Sequence, residues 1–287
     1  MPSLIKSIGS IAIAVTMMFS AACAKNTAAG ASAPGSGTAV TEENGRETMD
    51  TDTTQTEQSV TEAETVNEQE YIDSLKDKKV IALTFDDGPN TTTTSAVLDL
   101  VEQYGIKVSF FVIGQNINAQ SAEVMKRAYS LGCEINSHSY THSYMDKMTA
   151  EEIRDEMERT AQLIYDNVGE YPKFFRPPYI AVNSTMYENI DIPFISGIGC
   201  NDWDDRVTVE KRVKFVTEKC GDGCIVLLHD AAGNSKTAEA LKEIIPRMLE
   251  EGYVFVTTDE LFKVKGIVPS ADKEIIYSYA TETGWTS

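Results

Sequence analysis

The fold of this chain is decided by one short stretch of sequence, Lys79–Pro89, which reads KVIALTFDDGP. After the leading lysine, the residues up to Phe85 are apolar or β-branched, which is typical of a buried β-strand. Two adjacent carboxylates, Asp86 and Asp87, follow where that strand ends, and the Gly-Pro after them is ordinary turn chemistry. Because such acids can simply cap a loop, the stretch predicts a strand with a polar end and leaves the role of the acids open.

Similar strand-like runs recur along the chain and alternate with amphipathic stretches. The strand-like runs are Lys79–Phe85, Val108–Ile113, Cys133–Asn136, Lys173–Phe175, Ile192–Ile198, Ile225–Leu228 and Tyr253–Thr257. The helix-like stretches are Ser95–Tyr104, Glu123–Leu131, Ala150–Val168 and Ala238–Glu251. Repeated β–α units predict mostly parallel strands with helices outside them. About seven strands favour a barrel-like (β/α) domain, with an open doubly wound sheet as the alternative.

In either architecture the chemistry lies on loops at the carboxyl ends of the strands, and the histidines of the chain follow strand-like runs. His138 and His142 are four residues apart, which on a helical turn places both imidazoles on one face, at a spacing suited to one metal ion. Such a pair is also a common surface coincidence. Asp86 and Asp87 strengthen the metal hypothesis, because a cation between them and two histidines would relieve their repulsion. Two histidines and one carboxylate would make a zinc site with an open position for a catalytic water.

Three further motifs place polar side chains after strand-like runs. The loop Arg176–Tyr179 has two prolines that stiffen it and an arginine able to hold a carboxylate through paired hydrogen bonds, or to bridge surface acids. The pair Asp202-Trp203 offers an aromatic face for a sugar ring, or a core residue beside a solvated acid. His229 follows the apolar run Ile225–Leu228 and, taken alone, favours the interpretation of a buried core histidine.

The order of these motifs resembles that of the NodB-homology polysaccharide deacetylases, carbohydrate esterase family four. It runs Thr84–Pro89, His138–His142, Arg176–Tyr179, Asp202-Trp203 and Leu227–His229, within about residues 77–266. Each motif is weak alone, but five of them in order are specific. The family implies a deformed (β/α) barrel, here with about seven parallel strands. The composition of the segment before it separately predicts a disordered N-terminal tether. The family also implies metal-dependent removal of acetyl groups from N-acetylated or O-acetylated sugars.

The resemblance also implies a role for each motif. The residues that would hold the metal, zinc or another divalent transition metal such as Co²⁺, are Asp87, His138 and His142. The residues that would move protons and stabilise charge are Asp86 as general base, Arg176 orienting it, His229 as general acid, Asp202 tuning it, and the backbone N–H of Tyr179 as oxyanion donor. The residues that would contact substrate are Trp203, Leu227 and Pro178.

These roles match what the hydrolysis of an amide requires. An amide is a poor electrophile with a poor leaving group, so it needs an activated water, a positive site for the oxyanion and a proton for the departing amine. Two positions depart from the family's commoner pattern: Ile180 stands where glycine is frequent, and Gly199 stands where an acid is usual. Neither position is a proposed ligand or proton carrier, so the departures concern the shape of the substrate.

Residues 1–23 resemble an export signal. Lys6 precedes an apolar run, Ile8–Phe19, which is too short to span a bilayer as a mature helix. Cys23 follows two alanines as in the lipobox of bacterial lipoproteins, although Ser20 stands where leucine is usual. Cleavage without lipidation, which would release a soluble protein, is the alternative. We therefore expect an extracellular protein, anchored to the outer face of the bacterial cell membrane as a lipoprotein.

The chain is strongly acidic, with a formal net charge of −19. Residues 41–70 hold ten acids against one base and no aromatic residue, so we expect residues 24–70 to form a disordered acidic linker. Nucleic acid is not an expected partner, because its binding rests on lysine and arginine. The expected partner is an acetylated polysaccharide substrate. We expect the protein to be a monomer and to contact the membrane only through an N-terminal lipid anchor.

The remaining cysteines do not predict a metal site. They are Cys133, Cys200, Cys220 and Cys224, and they form no paired Cys-x-x-Cys motifs. Cys220 and Cys224 flank a small Gly-Asp-Gly loop and are a disulfide candidate, whereas Cys133 is typical of a buried strand residue. A redox or metal-carrier protein built on these cysteines therefore lacks the spacing it would need.

The sequence thus predicts a deacetylase domain at residues 71–268, followed by a C-terminal extension at 269–287 whose role is open. Because a surface anchor brings cell-wall polymer within reach, N-acetylglucosamine of peptidoglycan is the favoured substrate. The alternatives are chito-oligosaccharide, muramic acid residues, acetyl-xylan, or a non-catalytic glycan-binding lipoprotein on the same fold.

Overall fold

The computed structural model describes residues 67–271 and 274–281. The predicted signal and residues 24–66 of the predicted linker lie outside the described residues. Residues 67–75 are helical, and Ile72 and Leu75 on this segment are buried. The predicted disordered linker, residues 24–70, therefore included four residues that are helical, 67–70. The buried side chains of Ile72 and Leu75 hold this helical segment against the domain.

A parallel sheet centred on one strand organises the domain. In chain order the strands are β1 Lys79–Asp86, β2 Ser109–Val112, β3 Glu134–Ser137, β4 Phe194–Ile195, β5 Ile198–Gly199, β6 Ile225–His229, β7 Tyr253–Phe255 and β8 Ile276–Tyr277. β1 is buried along its whole length after Lys79 and pairs in parallel with β2, β6 and β7. β3 pairs in parallel with β2, and β5 with β6. An apolar strand with neighbours on both edges is what the near-continuous hydrophobic run of β1 indicates.

Short strands bend the sheet round into a distorted barrel. Phe175 forms parallel bridges with Ser137 of β3 and Phe194 of β4, and β4 in turn pairs in parallel with β8. The predicted deformed parallel barrel is confirmed. The run Lys173–Phe175 contributes a single bridge instead of a strand, and Ile192–Ile198 splits into β4 and β5 because Gly197, at φ +89°, turns the chain there.

Seven labelled helices pack around the strands. They are α1 Thr93–Tyr104, α2 Ala119–Ser130, α3 Ala150–Val168, α4 Ser184–Asn189, α5 Val209–Lys219, α6 Ser235–Glu250 and α7 Thr258–Lys265. The four predicted helices are present, and α2 begins earlier than predicted because Asn118 caps it in a capping box with Ser121. Sequence analysis missed α4, α5 and α7, although the capping box from Thr257 to Glu260 was a readable signal for α7.

The C-terminal extension is part of the barrel up to residue 281. Ile276 and Tyr277 of β8 are buried, and the backbone N–H of Ile225 donates to the carbonyl of Ser278.

The four cysteines that the structure describes are all free thiols, so the predicted disulfide between Cys220 and Cys224 is absent from the described residues. They are Cys133, Cys200, Cys220 and Cys224. None of the helices within residues 67–271 and 274–281 is long and apolar enough to cross a lipid bilayer.

Candidate active site

Parallel pairing brings the predicted motifs to one end of the barrel. Asp86 ends β1 and His229 ends β6, and the two residues are paired in register. His138 follows β3, and Arg176 follows the Phe175 bridge. Because the strands run in the same direction, their carboxyl ends open onto a single cavity of about 610 Å³.

Most of the predicted site residues line this cavity. Those that line it are Asp86, Asp87, His138, His142, Tyr179, Trp203, Leu227 and His229. Arg176 and Asp202 are buried and contact lining residues from behind. Pro178 is buried and does not line the cavity, whereas Pro177 does. Pro177 is thus the proline of this loop that faces the cavity, and substrate contact by Pro178 stays a prediction.

Three side chains converge as a metal-binding group would. Oδ1 of Asp87 lies 3.4 Å from Nε2 of His142 and 3.6 Å from Nε2 of His138. The three ligand atoms all lie within 4.8 Å of one another. The expected helical turn is absent from residues 138–142, which form a loop with Ser139 at φ 67° and His142 at φ 58°. The histidines are thus paired by loop geometry and not by helical spacing.

A buried acid holds this loop in place. Oε2 of Glu156 on α3 accepts hydrogen bonds from the backbone N–H groups of Tyr140 and Thr141, both at 2.8 Å. The Ser139 hydroxyl accepts a further bond from the backbone N–H of His142. Sequence analysis missed Glu156, although an acid among the apolar positions of α3 was a signal that it has buried partners.

The donor set fits a divalent transition metal. Oδ1 of Asp87 is buried and has no hydrogen-bond partner, so this carboxylate oxygen is free for an ion. Nδ1 of His138 lies 2.7 Å from the carbonyl oxygen of Arg176, which requires the proton on Nδ1 and leaves the Nε2 lone pair pointing to the cluster. Burial, followed by the neighbouring His138, lowers the pKa of His142 and favours its neutral, metal-binding form.

Asp86 has a different environment from its neighbour in sequence. Nη1 of Arg176 donates to its Oδ1 at 2.5 Å, and Nη2 donates to the hydroxyl of Thr84 at 2.8 Å. Burial acts to raise the pKa of Asp86, but the opposing positive charges, Arg176 above all, outweigh it, and the pKa lies below its usual value. Asp86 is therefore a buried, ionised carboxylate whose second oxygen lies 3.7 Å from Nε2 of His138.

His229, at the end of the strand beside β1, is paired with Asp202. Nδ1 of His229 lies 2.7 Å from Oδ1 of Asp202, and the backbone N–H of His229 donates to Oδ2 at 2.9 Å. Burial acts to lower the pKa of His229, but the hydrogen bond to Asp202 and the nearby carboxylates raise it to about 9. His229 is thus protonated at neutral pH, with its Nδ1 engaged and its Nε2 free to donate.

Residues that sequence analysis missed fix the position of Asp202. The Thr237 hydroxyl donates to Oδ2 of Asp202 at 2.6 Å, and Nη1 of Arg212 donates to Thr237 and to Asn234, both at 2.7 Å. Arg212 and Thr237 lie on helices α5 and α6, which come after the motif in sequence and carry no local signal of this contact. The general-acid candidate therefore rests on a buried polar network behind it.

The rim of the cavity is aromatic and apolar. Trp203 is 62% exposed, Tyr179 is 54% exposed, and Leu227 also lines the cavity. Gly199 lines the cavity beside Leu227, and a Cβ at Gly199 would lie 2.8 Å from the Leu227 carbonyl oxygen. The acid that is usual at this position would therefore not fit here without a backbone shift.

Comparisons with known proteins agree on one family. The family model described as polysaccharide deacetylase matches residues 73–191. A bifunctional xylanase/deacetylase of Pseudobutyrivibrio xylanivorans is 50% identical over 202 residues, which cover 70% of this chain and 33% of that protein. The peptidoglycan-N-acetylglucosamine deacetylase PgdA of Listeria monocytogenes is 35% identical over 199 residues, which cover 68% of this chain and 41% of that protein. The chain thus spans well under half the length of these relatives.

A solved structure matches over nearly its whole length. It is a family 4 acetyl xylan esterase from Clostridium thermocellum in complex with a cobalt ion. The two chains are 39% identical with a TM-score of 0.68, and the match covers 70% of this chain and 98% of the solved one.

Proposed function

Because the chain belongs to the polysaccharide deacetylase family, we propose that it is a metal-dependent hydrolase that removes acetyl groups from an acetylated polysaccharide. One observation carries the proposal. A metal-ligand triad, an ionised carboxylate and a protonated imidazole open together onto one cavity. This combination has few uses other than hydrolysis, in which one group accepts a proton and another donates one.

Asp86 acts as the general base in this proposal. Its carboxylate is ionised, and Arg176 holds one of its oxygens, which leaves the other directed toward the metal-ligand group. As a water molecule adds to the acetyl carbonyl carbon, Asp86 takes one proton from that water. The buried guanidinium of Arg176 keeps the base ionised before the reaction and fixed during it.

Asp87, His138 and His142 hold the metal. When bound, a zinc or cobalt ion would supply Lewis acidity to the water and to the acetyl carbonyl oxygen. The backbone N–H of Tyr179, at the rim of the cavity, is the candidate protein donor to the oxyanion that forms on that oxygen.

His229 acts as the general acid. When the tetrahedral oxyanion collapses, the bond from the acetyl carbon to the sugar nitrogen or oxygen breaks, and Nε2 of His229 protonates the leaving atom. The products are acetate and a free amine or hydroxyl on the sugar. Asp202 serves this step because it fixes the imidazole through Nδ1 and maintains its positive charge.

We propose O-acetylated xylan as the first substrate. This choice is supported by the identity of 50% to a xylanase/deacetylase and of 39% to an acetyl xylan esterase. A neutral polymer also suits a chain with a net charge of −19. The peptidoglycan prediction rested on location, and it remains the second candidate because PgdA is 35% identical to this chain.

The proposed location is the outer face of the bacterial cell membrane. Its support is the sequence of residues 1–23, an apolar run followed by small residues and Cys23. Either polymer lies outside the cell, so export is consistent with both candidate substrates. Labelling of cells with a radioactive fatty acid tests the proposal, since wild-type protein would be labelled and a Cys23→Ser variant would not.

Acetate release from a panel of polymers tests the proposed activity. The panel contains acetylated xylan, N-acetylated chito-oligosaccharides and peptidoglycan, each offered to the zinc-loaded protein and to the Asp86→Asn variant. The proposal predicts that the zinc-loaded protein releases acetate from acetylated xylan and that the Asp86→Asn variant does not. Acetate release from peptidoglycan and from no other polymer would favour the second candidate substrate. A zinc-loaded protein that binds these glycans and releases no acetate from any of them would favour the non-catalytic glycan-binding alternative.

A further inference from the structure

An exposed aromatic wall, Tyr144 with Tyr179, extends the cavity outward. Their ring centroids are 4.0 Å apart, and the ring planes differ by 15°. The side chains are 45% and 54% exposed, so the pair presents apolar ring surface to solvent beside the cavity. Tyr179 lines the cavity and Tyr144 does not, so the wall begins inside the cavity at Tyr179 and continues at Tyr144 onto the protein surface beside the cavity.

The wall is braced on both sides. The ammonium of Lys147 lies 4.1 Å from the centroid of the Tyr144 ring, a cation–π contact that holds the outer ring. The ring of His142 packs against Tyr179 with 4.8 Å between centroids and a 67° angle between planes. The position of Tyr179 is thus tied to a metal ligand at one end and to Tyr144 at the other.

The backbone under the wall is strained. Tyr179 has φ 60° and Ile180 has φ 55°, both in the left-handed region that non-glycine residues seldom adopt. For a β-branched residue such as Ile180 this conformation is a clear outlier. Strain of this kind persists where the surroundings impose it, and it clusters at sites that hold a ligand.

We propose that this wall is a binding subsite for the pyranose ring next to the acetylated sugar, and that Tyr144 positions it. The inference rests on the proposed function, because it assumes a polymeric sugar substrate. The C–H face of a pyranose is apolar and flat enough to pack on an aromatic ring, and the outward course of the wall matches a chain that continues past the reacting residue. Tyr144 acts through Tyr179, since it stacks on the ring that the sugar contacts and holds that ring in place.

Dependence on oligosaccharide length tests the subsite. We expect the wild-type kcat/KM to rise from an acetylated monosaccharide to acetylated xylo-oligosaccharides, and Tyr144→Ala to reduce this gain by about tenfold, mainly through KM. Tyr144→Phe retains the ring and keeps the gain. Tyr165→Ala is the matched control, because Tyr165 is also exposed and stacks on Tyr171 at 4.4 Å, outside the residues that line this cavity. An equal loss for the monosaccharide and the longest oligosaccharide, or no loss, would overturn the proposal.

Binding of unacetylated oligosaccharides supplies a readout that does not depend on turnover. By calorimetry, the wild type and Tyr165→Ala are expected to bind xylo-oligosaccharides or chito-oligosaccharides with the same Kd, and Tyr144→Ala to bind them about tenfold more weakly. Equal binding by all three proteins would overturn the subsite. Failure of the proposed function has a different signature, since the wild type would then release no acetate from any acetylated glycan, whatever the binding result.

Discussion

Asp86 and Asp87 are adjacent in sequence and yet have different partners. Asp86 belongs to β1 and forms a buried ion pair with Arg176. Asp87 has left the strand with φ 77°, which turns its carboxylate to the two histidines and leaves Oδ1 without a hydrogen bond. The proposed division between a free base and a metal ligand therefore follows the change of backbone conformation from Asp86 to Asp87 at the end of a strand.

Removal of the base is the first prediction at this scale. Asp86→Asn is expected to lower kcat by about 10²-fold or more, since general-base catalysis contributes 10²- to 10⁴-fold. Metal content is expected to stay at the wild-type level, because Asp87, His138 and His142 are unchanged. Acetate release and metal analysis on the same preparations check both points. Asp205→Asn, at an exposed side chain, is the control, and a variant at Asp86 with wild-type turnover would exclude its role as base.

The pH profile reports on His229. Its pKa is raised to about 9, so the imidazole is protonated below that pH and able to donate. We expect kcat to fall as pH rises through about 9, where His229 loses its proton. Asp202→Asn removes the hydrogen bond and the negative charge that raise this pKa, so the alkaline limb is expected to move toward neutral pH. An alkaline limb at the same pH in the variant would contradict the pairing.

At the scale of elements, the loop between the two histidines shows what sequence could and could not predict. The residue types and their order indicated a metal site, and the structure brings them together. The assumed helical turn was wrong, because Glu156 on α3 supplies the hydrogen bonds that shape residues 138–142. Glu156 lies on the helix that follows this loop, 16 residues after Tyr140, so the spacing of the two histidines contains no information about the contact.

Loosening this loop is the prediction that follows. Glu156→Gln replaces charged hydrogen bonds to two backbone N–H groups by weaker ones, so His142 is expected to be held less firmly. We expect metal affinity to fall by about tenfold, as is usual when partners of metal ligands are changed. Competition with a chromophoric chelator measures this. Glu158→Gln, at an exposed position of the same helix, serves as the control and is expected to bind metal as the wild type does.

Strain at Ile180, which follows the Arg176–Tyr179 loop, gives a prediction on stability. Ile180 has φ 55°, which glycine adopts without a steric penalty. Ile180→Gly is therefore expected to raise the free energy of unfolding by about 1 kcal/mol, measured by chemical denaturation. Ile180→Ala keeps a Cβ and should gain less. A destabilised glycine variant would show that packing of the Ile180 side chain outweighs the strain.

For the whole molecule, the sequence predicted the parallel barrel because β1, β2, β3, β6 and β7 each have a local apolar run. It could not place β8, since Ile276 and Tyr277 form a short strand only by pairing with β4. Nor could it find Arg212, whose partners Asn234 and Thr237 lie on another part of the chain. What escaped prediction is thus the long-range polar and strand contacts that close the barrel and support the catalytic groups.

The central claim is that one metal ion, held by Asp87, His138 and His142, makes this barrel a deacetylase. The most direct measurement is acetate release from an acetylated polysaccharide by protein stripped with a chelator, then titrated with zinc. The account predicts no release by the stripped protein and full recovery at one zinc per chain, with no recovery in His138→Ala. Full activity of the stripped protein, or recovery in His138→Ala equal to that of the wild type, would contradict it.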